Sequence, residues 1–405
     1  MIARALADSE IAEALAGRGL HVIAVGKAAA AMAAAFAAVP HLVIRQAIAI
    51  GTHAHASLPS SVEWIESSHP LPDSRSEAAG NRAIALAQQV HSGEALVILL
   101  SGGASALMAS PVDGLSLADK IETTRTMMAA GGDIHALNTV RRHLSKVKGG
   151  RLAAACVGTT ITLAISDVVG DDLHAIGSGP GVADDSTWAD ARRALDSFGG
   201  ELHSERVREI VAQGLAGDRP DTPKPGHPSL ARAMARVIGG RIDAMDGARV
   251  AALERGYQAF VMTEPVTGEA TIAGPEWLRR ARQLIGASAR KACVISSGET
   301  TVRVTGKGTG GRNLEFALSI ADAMASWSNS AAASIGTDGI DGSSGVAGGI
   351  VDSTTMTRSA RAGLQPPGHY LAANDSFAFF APLGDAVRLG RTDTNVGDLQ
   401  VLLID

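Results

Sequence analysis

Four apolar runs in this chain end in the same way, in small residues joined directly to a polar group: Val25-Gly26-Lys27, Ser101-Gly102-Gly103, Ser166-Asp167 and Ser297-Gly298-Glu299. Each run has the length and apolar character of a buried strand, and glycine or serine lets the backbone turn sharply at its end. Helical patterns separate the runs. Strands that alternate with helices in this way predict a parallel, doubly wound sheet, which places ligands at the carboxyl ends of its strands.

In the first half, HVIAVG (21–26), QAIAIG (46–51), VEWIES (62–67), ALVILLSGG (95–103) and TTITLAISD (159–167) read as strands. Helices are predicted over 27–39, Ser74–Val90, Ser116–Ala130 and His135–Ser145. The stretch GLAGDRPDTPKPGHPSL (214–230) holds four prolines among polar residues and reads as a linker. A second α/β set is expected to begin with ARVIGG (235–240). It continues through a helix near Ala244–Arg255, YQAFVM, a helix over Pro275–Lys291, and the strands ACVISSGE, TTVRVTG, SAAASIGTDG and DLQVLLID. The expectation is two α/β domains: an N-terminal Rossmann-like domain over 1–230 and a smaller C-terminal one over 231–405.

Composition narrows the function. Aromatic residues make up 3% of the chain and the formal net charge is −5, so neither stacking platforms for nucleic acid nor a general attraction to anionic surfaces is expected. Any anion site must therefore be built locally. Cys156 and Cys293 lack zinc-ligand spacing, no run reaches the length of a membrane span, and the N-terminus lacks a secretory pattern. A cytoplasmic enzyme is the expectation, with no membrane or nucleic-acid partner.

Residues 302–322 combine an expected strand, a glycine-rich turn and an amphipathic helix. The turn satisfies G-x-G-x-x-G through Gly306, Gly308 and Gly311, yet also carries Lys307 and Arg312. That spacing suggests a dinucleotide fold, whereas the cationic residues suit a phosphate or carboxylate. Lys27 opens a helix directly after its strand, a favourable place for a phosphate, although no P-loop motif occurs. The turn Ser101–Ser105 could cradle an oxyanion with successive N–H groups. LNTVRRHLSKVKGGR (137–151) holds six basic residues in fifteen and reads as a solvated helix face or as a cleft lining. Asp167, Asp338 and Asp341, with Asp171 in reserve, suit the carboxylate roles of phosphoryl transfer: holding Mg²⁺ and accepting the proton of an attacking hydroxyl. His69 and His174 read as structural or surface histidines.

Taken in order, VGKAAAAMA, SSHPLPD, LLSGGASALM, LNTVRRHLSKVKGGRLA, ISDVVGDDLHAIGSGP, SGETTV, GTGGRNLEFAL, GTDGIDG, AANDSFAFF and TNVGDLQVLLI resemble the MOFRL-type glycerate kinases that phosphorylate the 2-hydroxyl. The resemblance spans nearly the whole chain. It implies two α/β domains with an interdomain cleft, and conversion of D-glycerate and ATP to 2-phosphoglycerate and ADP with a divalent metal. The family's lysine and arginine fall on Lys27 and Arg312. This chain departs from the family with Ser297 in place of a glycine, and with Ser343-Ser344-Gly345 where an acidic residue is usual.

On that reading Lys27 stabilises the transferred phosphoryl group and Arg312 holds either the glycerate carboxylate or a phosphate oxygen. Asp167 and Asp341 hold Mg²⁺, and Asp338 is the candidate base. ATP is expected along Ser101, Gly102, Gly103, Ser105, Gly298, Glu299, Thr300, Gly308, Gly310, Gly311 and Asn374. The enzyme is expected as a monomer or homodimer. Two alternatives stand beside this one: an NAD(P)H-dependent hydroxypyruvate reductase and a non-catalytic sugar-acid sensor.

Overall fold

Six residues in succession, Leu20–Val25, are buried in the strand β1 (Gly19–Val25), as expected of a strand covered on both faces. In the computed structural model, which describes residues 1–53, 58–286 and 291–405, the chain divides into two units, Met1–Ile238 and Gly239–Asp405. The sheet of the first unit comprises β1, β2 (Val43–Gly51), β3 (Glu63–Glu66), β4 (Ala95–Leu100), β5 (Thr159–Ile165) and β6 (Ala233–Gly239). Its strand order is β3-β2-β1-β4-β5-β6. β1 runs parallel to β2 and β4, β2 to β3, and β4 to β5. This is the doubly wound order whose direction reverses between β1 and β4, and ligands bind at that switch point.

Helix Ser74–Gln88 starts at Asp73, whose carboxylate caps it, and buries Ala79, Ala83, Leu86 and Ala87 beside the sheet core. A separate apolar cluster joins Leu137 and Val140 to Trp188, Val207, Ile210 and Val211, tying together the helices Ile134–His143, Trp188–Ser197 and Glu205–Ala216.

The second unit is built on β7 (Gln258–Glu269), β8 (Ala292–Thr301), β9 (Ser330–Gly336), β10 (Gly348–Asp352), β11 (Ala386–Val387) and β12 (Asp398–Ile404), in the order β11-β10-β9-β12-β8-β7. β7 and β8 are parallel, whereas β12 runs antiparallel to both β8 and β9, and β10 to both β9 and β11. Trp277, Leu314, Phe316, Phe379, Phe380 and Leu402 form its core.

Three sequence expectations are corrected. ARVIGG is a strand, but it belongs to the first sheet as β6 beside β5, and the proline-rich stretch is an excursion within the first unit. TTVRVTG adds no strand: β8 ends at Thr301, and no helix or strand forms over 302–311. The helix expected at Pro275–Lys291 starts and ends earlier, running Ala270–Ile285 with Pro275 inside; residues 287–290 of the expected span lie outside the described residues, and Lys291 is not helical. Among the described residues no helix is long and apolar enough to cross a membrane.

Candidate active site

At the switch point of the first unit, the ends of β1 and β4 are knitted together. The Lys27 N–H donates to Gly102 O at 2.8 Å, and the Ala28 N–H to the buried Ser101 Oγ at 3.1 Å. Ser101 Oγ also donates to Val25 O at 3.3 Å, so this hydroxyl braces the turn. Gly26 has φ +125°, and a Cβ there would stand 2.2 Å from Ser101 Oγ, which restricts the position to glycine. Gly103 has φ +84°; a Cβ on it would meet His69 Cδ2 and Nε2 at 3.0 and 3.1 Å and Lys27 Cγ at 3.6 Å. Lys27, Gly103 and the exposed imidazole of His69 therefore share one small region. The sequence reading had left His69 with a structural or surface role.

Ser105 lies one step further along. Its hydroxyl and carbonyl accept from Lys148 Nζ at 2.8 and 2.9 Å, and its Oγ meets Ser178 Oγ at 3.1 Å. Asp167 stands two residues beyond the end of β5, half-buried, next to a buried Ser166.

In the second unit, β8 carries Gly298 against β7, where a Cβ would lie 2.0 Å from Val266 O. Thr300 is buried, while Glu299 is exposed and accepts from Arg312 Nη1 at 2.6 Å. Arg312 opens the helix Arg312–Ser319 and places Nε and Nη2 at 2.7 and 2.9 Å from the two oxygens of Asp398. Asp398 is fully buried at the start of β12 and also accepts from Asn313 Nδ2 at 3.0 Å. Burial would lower the Arg312 pKa, but Asp398, Glu299 and Asp341 more than reverse that, so the guanidinium stays charged. Three of its five N–H groups are taken among the described residues, leaving one on each Nη. The sequence reading missed Asp398: a carboxylate at a strand end gives no sign of its burial.

The glycine-rich turn is used internally. Asn374 Oδ1 accepts from the Thr305 and Gly306 N–H groups, both at 2.8 Å, and its Nδ2 donates to Arg303 O and Glu315 Oε1. The Gly308 N–H donates to Ala373 O and the Thr309 N–H to Asp375 Oδ1. Cβ atoms on Gly306, Gly308, Gly310 and Gly311 would fall 2.0 to 2.4 Å from Ala373 O, Asp375 Cβ, Ser376 Oγ and the Asp341 carboxyl carbon. These glycines are explained by close packing on the 373–376 segment and on Asp341. The donors expected of Gly306 and Gly308, and the ligand contacts expected of Asn374, are spent on the protein itself.

Asp341 is likewise occupied. Its Oδ1 accepts from the Asn313 N–H at 3.0 Å and its Oδ2 from the Leu314 N–H at 2.8 Å. It thereby caps a helix whose own N-cap, Gly311, has no side chain. Burial pushes its carboxyl up to about 6, against the downward pull of those N–H groups. A 2% exposed carboxylate with both oxygens engaged does not fit the metal role expected of it. Asp338 is half-buried and accepts the Ile340 N–H at 3.1 Å, an Asx turn. Among the described residues, no three His, Cys, Asp or Glu side chains converge to hold a metal ion.

Comparison with known proteins agrees with this architecture. Residues 1–212 match a domain of unknown function, DUF4147, and residues 292–398 match the MOFRL family. The D-glycerate 2-kinase of Thermotoga maritima is 36% identical over 95% of this chain and 90% of its own. An Agrobacterium vitis protein carrying a provisional hydroxypyruvate reductase name is 38% identical over 95% of this chain and 86% of its own. The crystal structure of a Thermotoga maritima glycerate kinase superposes with a TM-score of 0.85 at 35% identity, covering 99% of this chain and 95% of that one. Identity at this level over nearly the full length of both partners settles the relationship: the chain belongs to the MOFRL-type glycerate 2-kinase family.

Proposed function

We propose that this protein is a kinase that transfers the γ-phosphoryl group of ATP to the 2-hydroxyl of D-glycerate, giving 2-phosphoglycerate and ADP. The observation that carries the reading is the switch point of the first sheet, where Lys27 and the Ser101–Gly103 turn stand together, in a chain that matches a D-glycerate 2-kinase along 95% of its length. Phosphoryl transfer asks a protein mainly for positioning and charge neutralisation. In this reading the Lys27 ammonium meets a terminal phosphate near the start of the helix Ala29–Ala37 and offsets the charge that builds on the phosphoryl oxygens. As the glycerate oxygen bonds to phosphorus, the bond to the ADP oxygen breaks and the hydroxyl proton passes to a carboxylate, for which Asp338 is our candidate.

Arg312 serves as an anion clamp held in place by Asp398. Glu299, its exposed partner, occupies a position that a ligand oxygen would take on displacing it. A divalent cation would neutralise the ATP phosphates, and Asp167 is the carboxylate we assign to it, because Asp341 is engaged as a helix cap.

Hydroxypyruvate reduction is the second reading, favoured by the G-x-G-x-x-G spacing and by the name of the Agrobacterium vitis relative. The position of the motif weighs against it. A dinucleotide motif belongs to the first strand-to-helix turn of a doubly wound sheet, where this chain has Gly26-Lys27-Ala28, and the glycines at 306–311 are packed on protein. Incubation with ATP, Mg²⁺ and D-glycerate should release ADP only when glycerate is present, with phosphorus NMR placing the phosphate on the 2-oxygen. NADH oxidation with hydroxypyruvate, in the absence of that ADP release, would reverse the choice.

A further inference from the structure

The basic run 137–151 resolves into two kinds of residue. Four of its six basic side chains are matched inside the first unit. Arg142 pairs with Asp184 at 3.0 Å, His143 with Asp221 at 2.9 Å and Lys146 with Asp113 at 3.1 Å, while Arg151 donates to Pro220 O and lies in the field of Asp221 and Asp184. Arg141 and Lys148 have no such carboxylate. Arg141 makes no side-chain hydrogen bond or ion pair among the described residues, and Lys148, 1% exposed, rests on the neutral oxygens of Ser105 and Gly177.

A third cation joins them from the helix Leu117–Ala129. Lys120 is 6% exposed, and its Nζ has no hydrogen-bond partner among the described residues. The three charges feel one another. Burial lowers the Lys148 pKa well below its ordinary value and Lys120 and Arg141 lower it further; burial, then Arg141, brings Lys120 down to about 7, with Glu77 opposing. Three basic groups gathered under a protein surface, driven toward deprotonation by burial and by one another, one of them an amine with nothing to donate to among the described residues, are costly in the unliganded fold. Such a cost persists where a ligand removes it. An anionic oxygen group does so, by giving Lys120 an acceptor and cancelling the repulsion.

We propose that Lys120, Arg141 and Lys148, together with the Ser105 turn, form an anion subsite that receives a carboxylate or phosphate group of a substrate. The proposal rests on the kinase reading for the identity of that anion, because Ser105 continues the Ser101–Gly103 turn at the switch point and connects directly to Lys148. D-Glycerate brings a carboxylate and ATP a triphosphate. Both present oxygens that an ammonium and a guanidinium bind strongly.

The test compares the full-length protein with Lys120→Met and Arg141→Met, measuring thermal unfolding, calorimetric binding of D-glycerate and of inorganic phosphate, and KM for each substrate. Lys120→Met should raise Tm by several degrees, since an unpartnered buried amine is lost, while weakening anion binding by tenfold or more. Arg141→Met, at a more exposed position, should weaken the same binding and leaves the proposal testable if the first variant misfolds. A rise confined to the KM of D-glycerate assigns the subsite to the carboxylate, and a rise confined to that of ATP assigns it to the triphosphate. Anion affinities and both KM values within twofold of wild type in both variants would overturn the subsite. If the wild-type protein transfers no phosphate to D-glycerate but loses calorimetric anion binding in the variants, the kinase reading fails and the subsite stands.

Discussion

Arg312 grips both oxygens of Asp398, with Nε and Nη2 at 2.7 and 2.9 Å, and the carboxylate it grips is completely buried. The arginine is therefore a structural member of the second unit as well as a candidate ligand group. Arg312→Ala should lose activity and stability together, because it strands Asp398 without its counter-charge; removing one partner of a buried pair costs about 3–5 kcal/mol. Urea unfolding and initial rates, measured on the same preparation, check both halves. A variant as stable as wild type would show that Asp398 accepts protonation at no cost.

Lys27 should behave differently. Its backbone N–H donates to Gly102 O, a contact that a side-chain change leaves in place. Lys27→Ala is expected to lower kcat by roughly 10²–10³-fold, the range for losing one transition-state donor. Steady-state kinetics beside a thermal melt would reveal a purely structural lysine as a large fall in Tm with kcat retained.

The Asp341 carboxyl gives the protein a pH term of defined sign. Its folded value of about 6 lies above that of an unfolded aspartate, so between these values the native state keeps a proton that the unfolded chain has released. Stability from this group is fully present at lower pH and falls as pH rises toward 6. The total is about 3 kcal/mol, from roughly two pKa units at 1.36 kcal/mol each. Urea unfolding free energies of wild type and Asp341→Asn, taken from pH 4 to 7, should diverge by that amount. Parallel curves would rule out this titration.

Asn374→Ala should loosen the 302–311 segment. It removes the acceptor of the Thr305 and Gly306 N–H groups and the donor to Glu315. Of the groups it frees, only Glu315 is buried, and an unpaired buried group costs about 1–3 kcal/mol, so a loss in that range is expected, together with faster proteolysis within this segment. Unchanged cleavage there would show that packing of the glycines alone holds the turn.

The first sheet was legible because its strands are nearly unbroken apolar runs: HVIAV, ALVILL and TTITLAI are buried on both faces and allow little other reading. Sheet membership was less visible. ARVIG follows four prolines, and prolines mark an exposed excursion equally well within a unit or between units. TTVRVTG has the alternation of a strand, yet Gly306 packed on Ala373 and the Asn374 side chain holding the Thr305 and Gly306 N–H groups decide its backbone. At the candidate site, residue types were readable and partners were not. Asp341 looked like a metal carboxylate because nothing in GTDGIDG discloses that a helix elsewhere in the chain needs a cap. Lys120 drew no notice, since a lysine in LADKIETT reads as solvent-facing until neighbouring helices close over it.

β6 has a consequence for anyone cutting this protein apart. The N-terminal family match ends at residue 212, before the strand Ala233–Gly239 that lies beside β5 in the first sheet. A fragment stopped at Leu230 would lay bare the flank of β5, including the Thr160 amide that donates to Arg232 O. An uncovered apolar edge of that kind recruits other chains. Insolubility of such a fragment would reflect a misplaced scissor cut and would say nothing against the autonomy of the unit.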